Sequence, residues 1–244
     1  MKYAVLGDIH GNLSALETVL AAIERERVDR ILSVGDVVGY GAAPSECIAK
    51  LQAVGAVVVM GNHDAAAVDR LDTSFFNHHA KEAIRWTRGV LSRKEKAWLS
   101  ELPYVQNLEH CSVAHGTLHR PELFDYIMTV EDADPSFDAM TLPVCFVGHS
   151  HVPVTLLRLR FSPDRTSFTP EAEVDLSDAL KALVNVGSVG QPRDEDPRTG
   201  FALYDTTAES VALHRLPYDI DREAHRIRAA GLPQMLADRL YLGV

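Results

Sequence analysis

Short apolar runs rich in β-branched residues recur at 3–6, 31–34, 56–60, 111–114 and 144–147, and each gives way abruptly to polar residues. Continuous apolar runs of this length suit strands buried on both faces of an α/β core. Between the first of them the period changes. Leu13, Leu16, Val19, Leu20 and Ile23 share one helical face, with Glu17, Glu24 and Arg25 among the polar positions. Asn12 is a suitable N-cap for that helix. A shorter helix carries Ile48, Leu51 and Val54, with Ser45 placed to open it and Gly55 to stop it. Strand, helix, strand, helix, strand predicts parallel pairing through right-handed crossovers.

The stretch 65–102 reads as helical and contains Ser92-Arg93-Lys94-Glu95, the pattern of a capping box. Beyond Val147 the texture turns to strands, expected at 154–161, 166–174, 200–205 and 210–216, with Ser162-Pro163-Asp164-Arg165 as a polar turn. The C-terminal stretch, about 221–242, is an amphipathic helix interrupted near Gly231-Leu232-Pro233.

Composition narrows the class of protein. The 244 residues are 46% hydrophobic and 24% charged, an ordinary globular balance. A formal net charge of −10 weighs against an extended nucleic-acid partner, which selects basic surfaces. It leaves a nucleotide substrate open, because bound dications can make a site locally positive. Cys47, Cys111 and Cys145 lie far apart among apolar neighbours and are expected as buried, reduced thiols of a cytoplasmic protein. The N-terminus lacks the pattern of a signal peptide, and no apolar run approaches the ~20 residues that span a bilayer, so no membrane partner is expected.

The candidate chemistry lies where the five runs end. Gly7-Asp8-Ile9-His10 follows the first and Gly35-Asp36 the second. Gly61-Asn62-His63-Asp64 follows the third, His115-Gly116 the fourth and Gly148-His149-Ser150-His151 the fifth. Ligands of open α/β sheets bind outside the carboxyl ends of the strands. Five neighbouring ends would gather Asp8, His10, Asp36, Asn62, His115, His149 and His151 into one crevice. Mixed oxygen and imidazole donors suit first-row metals. Seven donors exceed a four-ligand zinc site and suit two divalent ions, of Mn, Fe, Zn, Co or Ni. Any one of these motifs could be a turn or cap; the ordered set of five is specific.

With those motifs in view, the chain closely resembles the calcineurin-like metallophosphoesterase superfamily, in its small bacterial and archaeal phosphodiesterase branch. The resemblance runs from Asp8 to His151 and on through Asn185-Val186-Gly187-Ser188-Val189-Gly190 to the C-terminal helix. It implies a two-sheet β-sandwich flanked by helices, a four-layer αββα fold. It also implies one metallophosphoesterase domain over 1–244, with a helical insertion at about 65–102. Asp8, His10, Asp36 and His151 would hold one ion and Asp36, Asn62, His115 and His149 the other, with Asp36 bridging. His63 would lie over the substrate, oriented by Asp64. The implied activity is hydrolysis of a phosphodiester, phosphomonoester or nucleotide polyphosphate by a hydroxide between the ions, with manganese a suitable metal. His63 is then the candidate proton donor to the leaving alkoxide, or else an orienting group.

Gly39-Tyr40 stands where the protein Ser/Thr phosphatases of the superfamily usually carry Asp-Arg, which disfavours a phosphoprotein substrate. Arg193 is a candidate phosphate clamp, with a solvated loop charge as the plainer reading. His119 and Arg120 are expected on a surface loop, and Phe124 and Tyr126 are expected to pack rather than stack on a nucleobase. The competing function is a catalytically silent protein-binding module of the same fold, as in the retromer subunit that resembles this branch. Such a module would have lost donors; here none is lost.

Overall fold

The computed structural model describes all residues from Met1 to Val244. The first strand, β1 (Lys2–Leu6), pairs in parallel with β2 (Arg30–Ser33), which pairs in parallel with β3 (Val57–Val58). The crossovers are α1 (Leu13–Glu26) and α2 (Pro44–Ala53). Asn12 caps α1 as expected, its side chain accepting from the Ala15 N–H at 3.0 Å. Ser45 does not open α2. That helix begins one residue earlier, at Pro44, whose fixed φ and missing N–H suit a first turn.

The expected helical stretch 65–102 resolves into α3 (Asn62–Ala67), α4 (His78–Val90) and α5 (Arg93–Ser100), with an irregular segment at 68–77. Ser92 and Glu95 form the expected capping box of α5. Next come β4 (Val105–Asn107), β5 (Cys111–Ala114), α6 (Val130–Ala139) and β6 (Val144–Val147). The strands that follow are β7 (Val154–Leu159), β8 (Ser162–Thr169), β9 (Glu173–Asp175), β10 (Ala179–Asn185), β11 (Thr199–Asp205) and β12 (Ser210–Leu216). The chain ends in α7 (Ile220–Ala229) and α8 (Gln234–Asp238), separated by the expected break. The turn expected at 162–165 is instead the start of β8. This strand pairs only with β7, so Pro163 sits on a sheet edge where a missing N–H is tolerated.

Two six-stranded sheets result, in the orders β3-β2-β1-β11-β12-β9 and β4-β5-β6-β10-β7-β8. The alternation along β1 shows how they pack. Tyr3 and Val5 point inward and meet Cys111, Val113, Phe146 and Val184 of the other sheet. Ala4 and Leu6 point outward and pack beneath Leu16, Val19, Ile23, Ile48 and Leu51 of α1 and α2. On the far side, Cys145, Val147 and Leu183 pack against Ala133, Phe137 and Met140 around α6. The order helix, sheet, sheet, helix is the αββα layering that the resemblance implied. The three cysteines are buried and unpaired. No helix is long and apolar enough to cross a membrane.

Candidate metal centre

The C-terminal ends of β1, β2, β5 and β6, with the N-terminus of α3, meet at one edge of the sandwich. They bring together Asp8, His10, Asp36, Asn62, His115, His149 and His151, all seven buried. Reaching this cluster puts the backbone into an unusual state. Asp8, His10, Asp36, His149 and His151 all adopt left-handed φ, between 50 and 69°. For non-glycine residues that conformation costs about 1–3 kcal/mol each and persists only where the surroundings impose it. Here the surroundings are backbone bonds between loops. Asp8 N–H donates to Gly35 O, His10 N–H to Asp36 O and Gly190 N–H to Asp8 O, at 2.9–3.1 Å. Two glycines permit the close approach: a Cβ at Gly61 would overlap the Asp36 carboxylate, and one at Gly190 would overlap Ile9 O.

The imidazoles are oriented from behind. The Nδ1 of His10, His115 and His151 face the carbonyls of Val38, Val34 and Gln191 at 3.1, 2.9 and 2.5 Å. A nitrogen facing a carbonyl must carry the proton, so each ring turns its Nε2 toward the cluster. Burial pushes His10, His149 and His151 well below the ordinary histidine range, so these rings are neutral. The consequence is a pair of bare lone pairs: His10 Nε2 and His151 Nε2 stand 3.2 Å apart with no proton to share. Asp8 Oδ1 is 3.4 Å from His151 Nε2 and 3.9 Å from His10 Nε2.

Asp36 links this half of the cluster to the other. Its Oδ1 accepts the His63 N–H at 2.8 Å. Its Oδ2 is buried without any hydrogen bond, 3.6 Å from His10 Nε2 and 3.4 Å from His115 Nε2. On that second side His115 Nε2 also lies 2.9 Å from Asn62 Oδ1 and 3.1 Å from His149 Nδ1. Burial disfavours charge on both Asp36 and His115, but each offsets it for the other. His115 rises to about 9, and Asp36 falls well below the carboxylate range. Burial lifts Asp8 to about 7, against the pull of the His115 charge. An orphaned carboxylate oxygen among converging imidazole nitrogens is a site that cations complete, an ion on the His115 side replacing the Nε2 proton of that ring. Candidate donor triads within 4.8 Å are Asp8, His10 and His151; Asp36, His115 and His149; and His10, Asp36 and His63.

His63 lies beside the cluster, its ring 4.9 Å from His10, 4.4 Å from Tyr40 and 4.9 Å from Phe76. Burial lowers it to about 4, and its Nδ1 has no partner. The expected orientation by Asp64 takes a different form. The Asp64 carboxylate accepts the backbone N–H groups of Val38 and Gly61, both at 3.1 Å, and fixes the loops rather than the ring. Arg193 is no solvated loop charge. It is half-buried, its Nε lacks a partner, and its guanidinium donates to Gln191 at 3.0 Å and lies 5.9 Å from the centre of the Tyr40 ring. Its charge reaches Asp8, His10, His63, His149 and His151.

Phe124 packs as expected, edge-on to His115 and Tyr104. Tyr126 does not simply pack: it is half exposed and stacks on His149 at 3.7 Å. His119 and Arg120 are exposed, as expected of a surface loop. Sequence reasoning missed the residues that brace the centre. Asn185 Nδ2 donates to Gly148 O at 2.7 Å within the second sheet, and Ser188 Oγ donates to Asp8 O at 2.8 Å, tying that sheet's loops to the first. The glycine-rich run containing them was the available signal.

Comparison with known proteins places the fold in a family. The model of the calcineurin-like phosphoesterase superfamily domain matches residues 1–209. The chain belongs to that superfamily. An uncharacterized protein of Methanocaldococcus jannaschii is 33% identical to this phosphoesterase-family chain over 244 residues, 98% of this chain and 97% of its own. The crystal structure of a metallophosphoesterase from Sphaerobacter thermophilus superposes with a TM-score of 0.88 at 36% identity, covering 100% of this chain and 99% of that one. A hypothetical protein of Pyrococcus horikoshii OT3 shares the fold at 21% identity and a TM-score of 0.78, covering 100% and 98% of the two chains.

Proposed function

We propose that this superfamily member hydrolyses a small phosphate ester or nucleotide at a centre of two divalent metal ions. Asp8, His10, Asp36 and His151 would hold one ion, and Asp36, Asn62, His115 and His149 the other. The observation that carries the reading is the Asp36 Oδ2, a buried carboxylate oxygen with no hydrogen bond, facing His10 Nε2 and His115 Nε2 at once. When bound, such ions neutralise phosphoryl oxygens and make water a stronger nucleophile near neutral pH.

The chain's own groups do the rest. The carbonyls of Val38, Val34 and Gln191 hold three imidazoles with Nε2 turned to the cluster; His10 and His151 present a lone pair there, and His115 would do so once its Nε2 proton is lost on metal binding. Asp64 fixes the backbone of the Asp36 and Asn62 loops. His63, which burial keeps neutral, adjoins the donors; a phosphate anion bound beside it would favour its protonated form, which could then pass a proton to the departing oxygen of the ester. Arg193, the cation whose charge reaches both halves of the cluster, is placed to meet a phosphate oxygen. The silent binding module is not favoured, because no donor is missing.

The test is hydrolysis of bis(4-nitrophenyl) phosphate after exhaustive chelation and after adding back manganese. Chelation should abolish turnover and manganese restore it. Undiminished turnover in the chelated protein would leave only an acid–base mechanism.

A further inference from the structure

A cleft of about 380 Å³ opens directly beside the donor cluster, with Asn62, His63 and His149 in its lining. Most of its remaining lining residues are apolar, and apart from Tyr40 and Ala80 they come from two stretches of chain. The irregular segment 68–77 contributes Leu71, Phe75 and Phe76, and the loop after β5 contributes Leu123 and Tyr126. Phe75 is 96% exposed. Leaving a large apolar ring in water at the mouth of a cleft gains the fold nothing. Tyr126 stands 49% exposed and stacks on His149, with the ring planes 18° apart. Phe76 lies against His63. No lysine or arginine lines the cleft, and its one carboxylate is Asp72. Such a lining offers no side-chain cation to a polyphosphate tail, and it offers faces to an uncharged flat ring.

We propose that this cleft seats a flat aromatic group esterified to the phosphate, with Phe75, Phe76 and Tyr126 as the specificity-determining side chains. The proposal rests on the phosphoesterase reading above and narrows it. The substrate is an ester of a phenol or of a base-bearing nucleoside, rather than of a sugar without a base or of a polyphosphate chain. The phosphate lies at the donor cluster while the ring enters between the side chains of segment 68–77 and Tyr126. A simple aryl group and a nucleobase share this recognition chemistry, because stacking on aromatic faces tolerates any π-surface.

The test is calorimetric titration of the manganese-loaded protein with methylphosphonate, phenylphosphonate, ribose 5-phosphate and adenosine 5′-monophosphate. Stacking of one ring predicts phenylphosphonate binding about tenfold or more tighter than methylphosphonate. Phe75→Ala should cut that preference to about threefold or less, and Tyr126→Phe, which keeps the ring, should retain it. Adenosine 5′-monophosphate binding tighter than ribose 5-phosphate would assign the ring to a nucleobase, and equal binding would assign it to a simple aryl group. Equal affinity for the two phosphonates overturns the proposal, as does a preference that survives Phe75→Ala combined with Tyr126→Ala. If that happens while bis(4-nitrophenyl) phosphate is still hydrolysed, only the cleft assignment falls. If no phosphonate binds and no ester is turned over, the phosphoesterase reading falls with it.

Discussion

Replacing Asp36 by asparagine is the most informative single change, because one oxygen atom then tests both halves of the proposed centre. Asn keeps the shape, and its side-chain oxygen can still accept the His63 N–H. It removes the negative charge that faces His10 Nε2 and His115 Nε2 at 3.6 and 3.4 Å. The expected signal follows from linkage. An ion at a hundredfold excess over its Kd stabilises the folded chain by about 2.7 kcal/mol, so two ions give about 5.4 kcal/mol. For a chain of 244 residues, each kcal/mol moves Tm by about 2–4 °C, so manganese should raise the wild-type Tm by roughly 10–20 °C. With both sites weakened together, Asp36→Asn should lose more than half of that rise, and bis(4-nitrophenyl) phosphate turnover should fall by several orders of magnitude. Scanning fluorimetry with and without manganese reads the first effect and a colorimetric rate the second. A variant with the full wild-type rise in Tm would remove Asp36 from between the ions. One that loses half the bound metal while its other site keeps wild-type affinity would make Asp36 a ligand to a single ion.

Other changes separate chemistry from scaffold. His63→Ala should lower kcat by about 10²–10⁴-fold while elemental analysis still finds the wild-type metal content; a halved content would make His63 a ligand. Gly61→Ala drives a methyl group into the Asp36 carboxylate. It should cost about 1–3 kcal/mol in urea unfolding and abolish the manganese-induced rise in Tm. Phe137→Ala empties a fully buried position on the inner face of α6. It should cost about 3–5 kcal/mol of stability and leave metal content unchanged, since that layer lies behind the second sheet.

What was legible in the sequence, and what was not, follows from where each signal originates. The donors could be read because they directly follow strands buried on both faces, and burial on both faces writes an unbroken apolar run into the chain. Runs 111–114 and 144–147 coincide with β5 and β6 to the residue. β10 gave no such signal. Its Ala-Leu-Lys-Ala-Leu-Val-Asn contains good helix formers and an exposed Leu180, and it is a strand only because β6 and β7 flank it. α6 was hidden by its own Pro135, and the first half of β8 by a Pro-Asp pair that is a turn signal anywhere except on a sheet edge.

The donor cluster shows the same division on a smaller scale. Residue type and position after a strand marked all seven residues that the fold brings together, and His63 beside them. The role of Asp64 was misjudged because nothing local distinguishes a carboxylate that turns to its neighbouring ring from one that accepts backbone N–H groups from another loop. Tyr126 and Phe75 were obscured for a related reason: an aromatic residue in a polar loop carries no mark of whether it packs or waits. Only the placement of segment 68–77 beside the loop after β5, fixed by α4 and the strands rather than by either stretch itself, leaves those rings exposed next to His63 and His149. Reactive groups at strand ends are therefore readable one strand at a time, whereas the surface that selects what reaches them exists only after the layers have assembled.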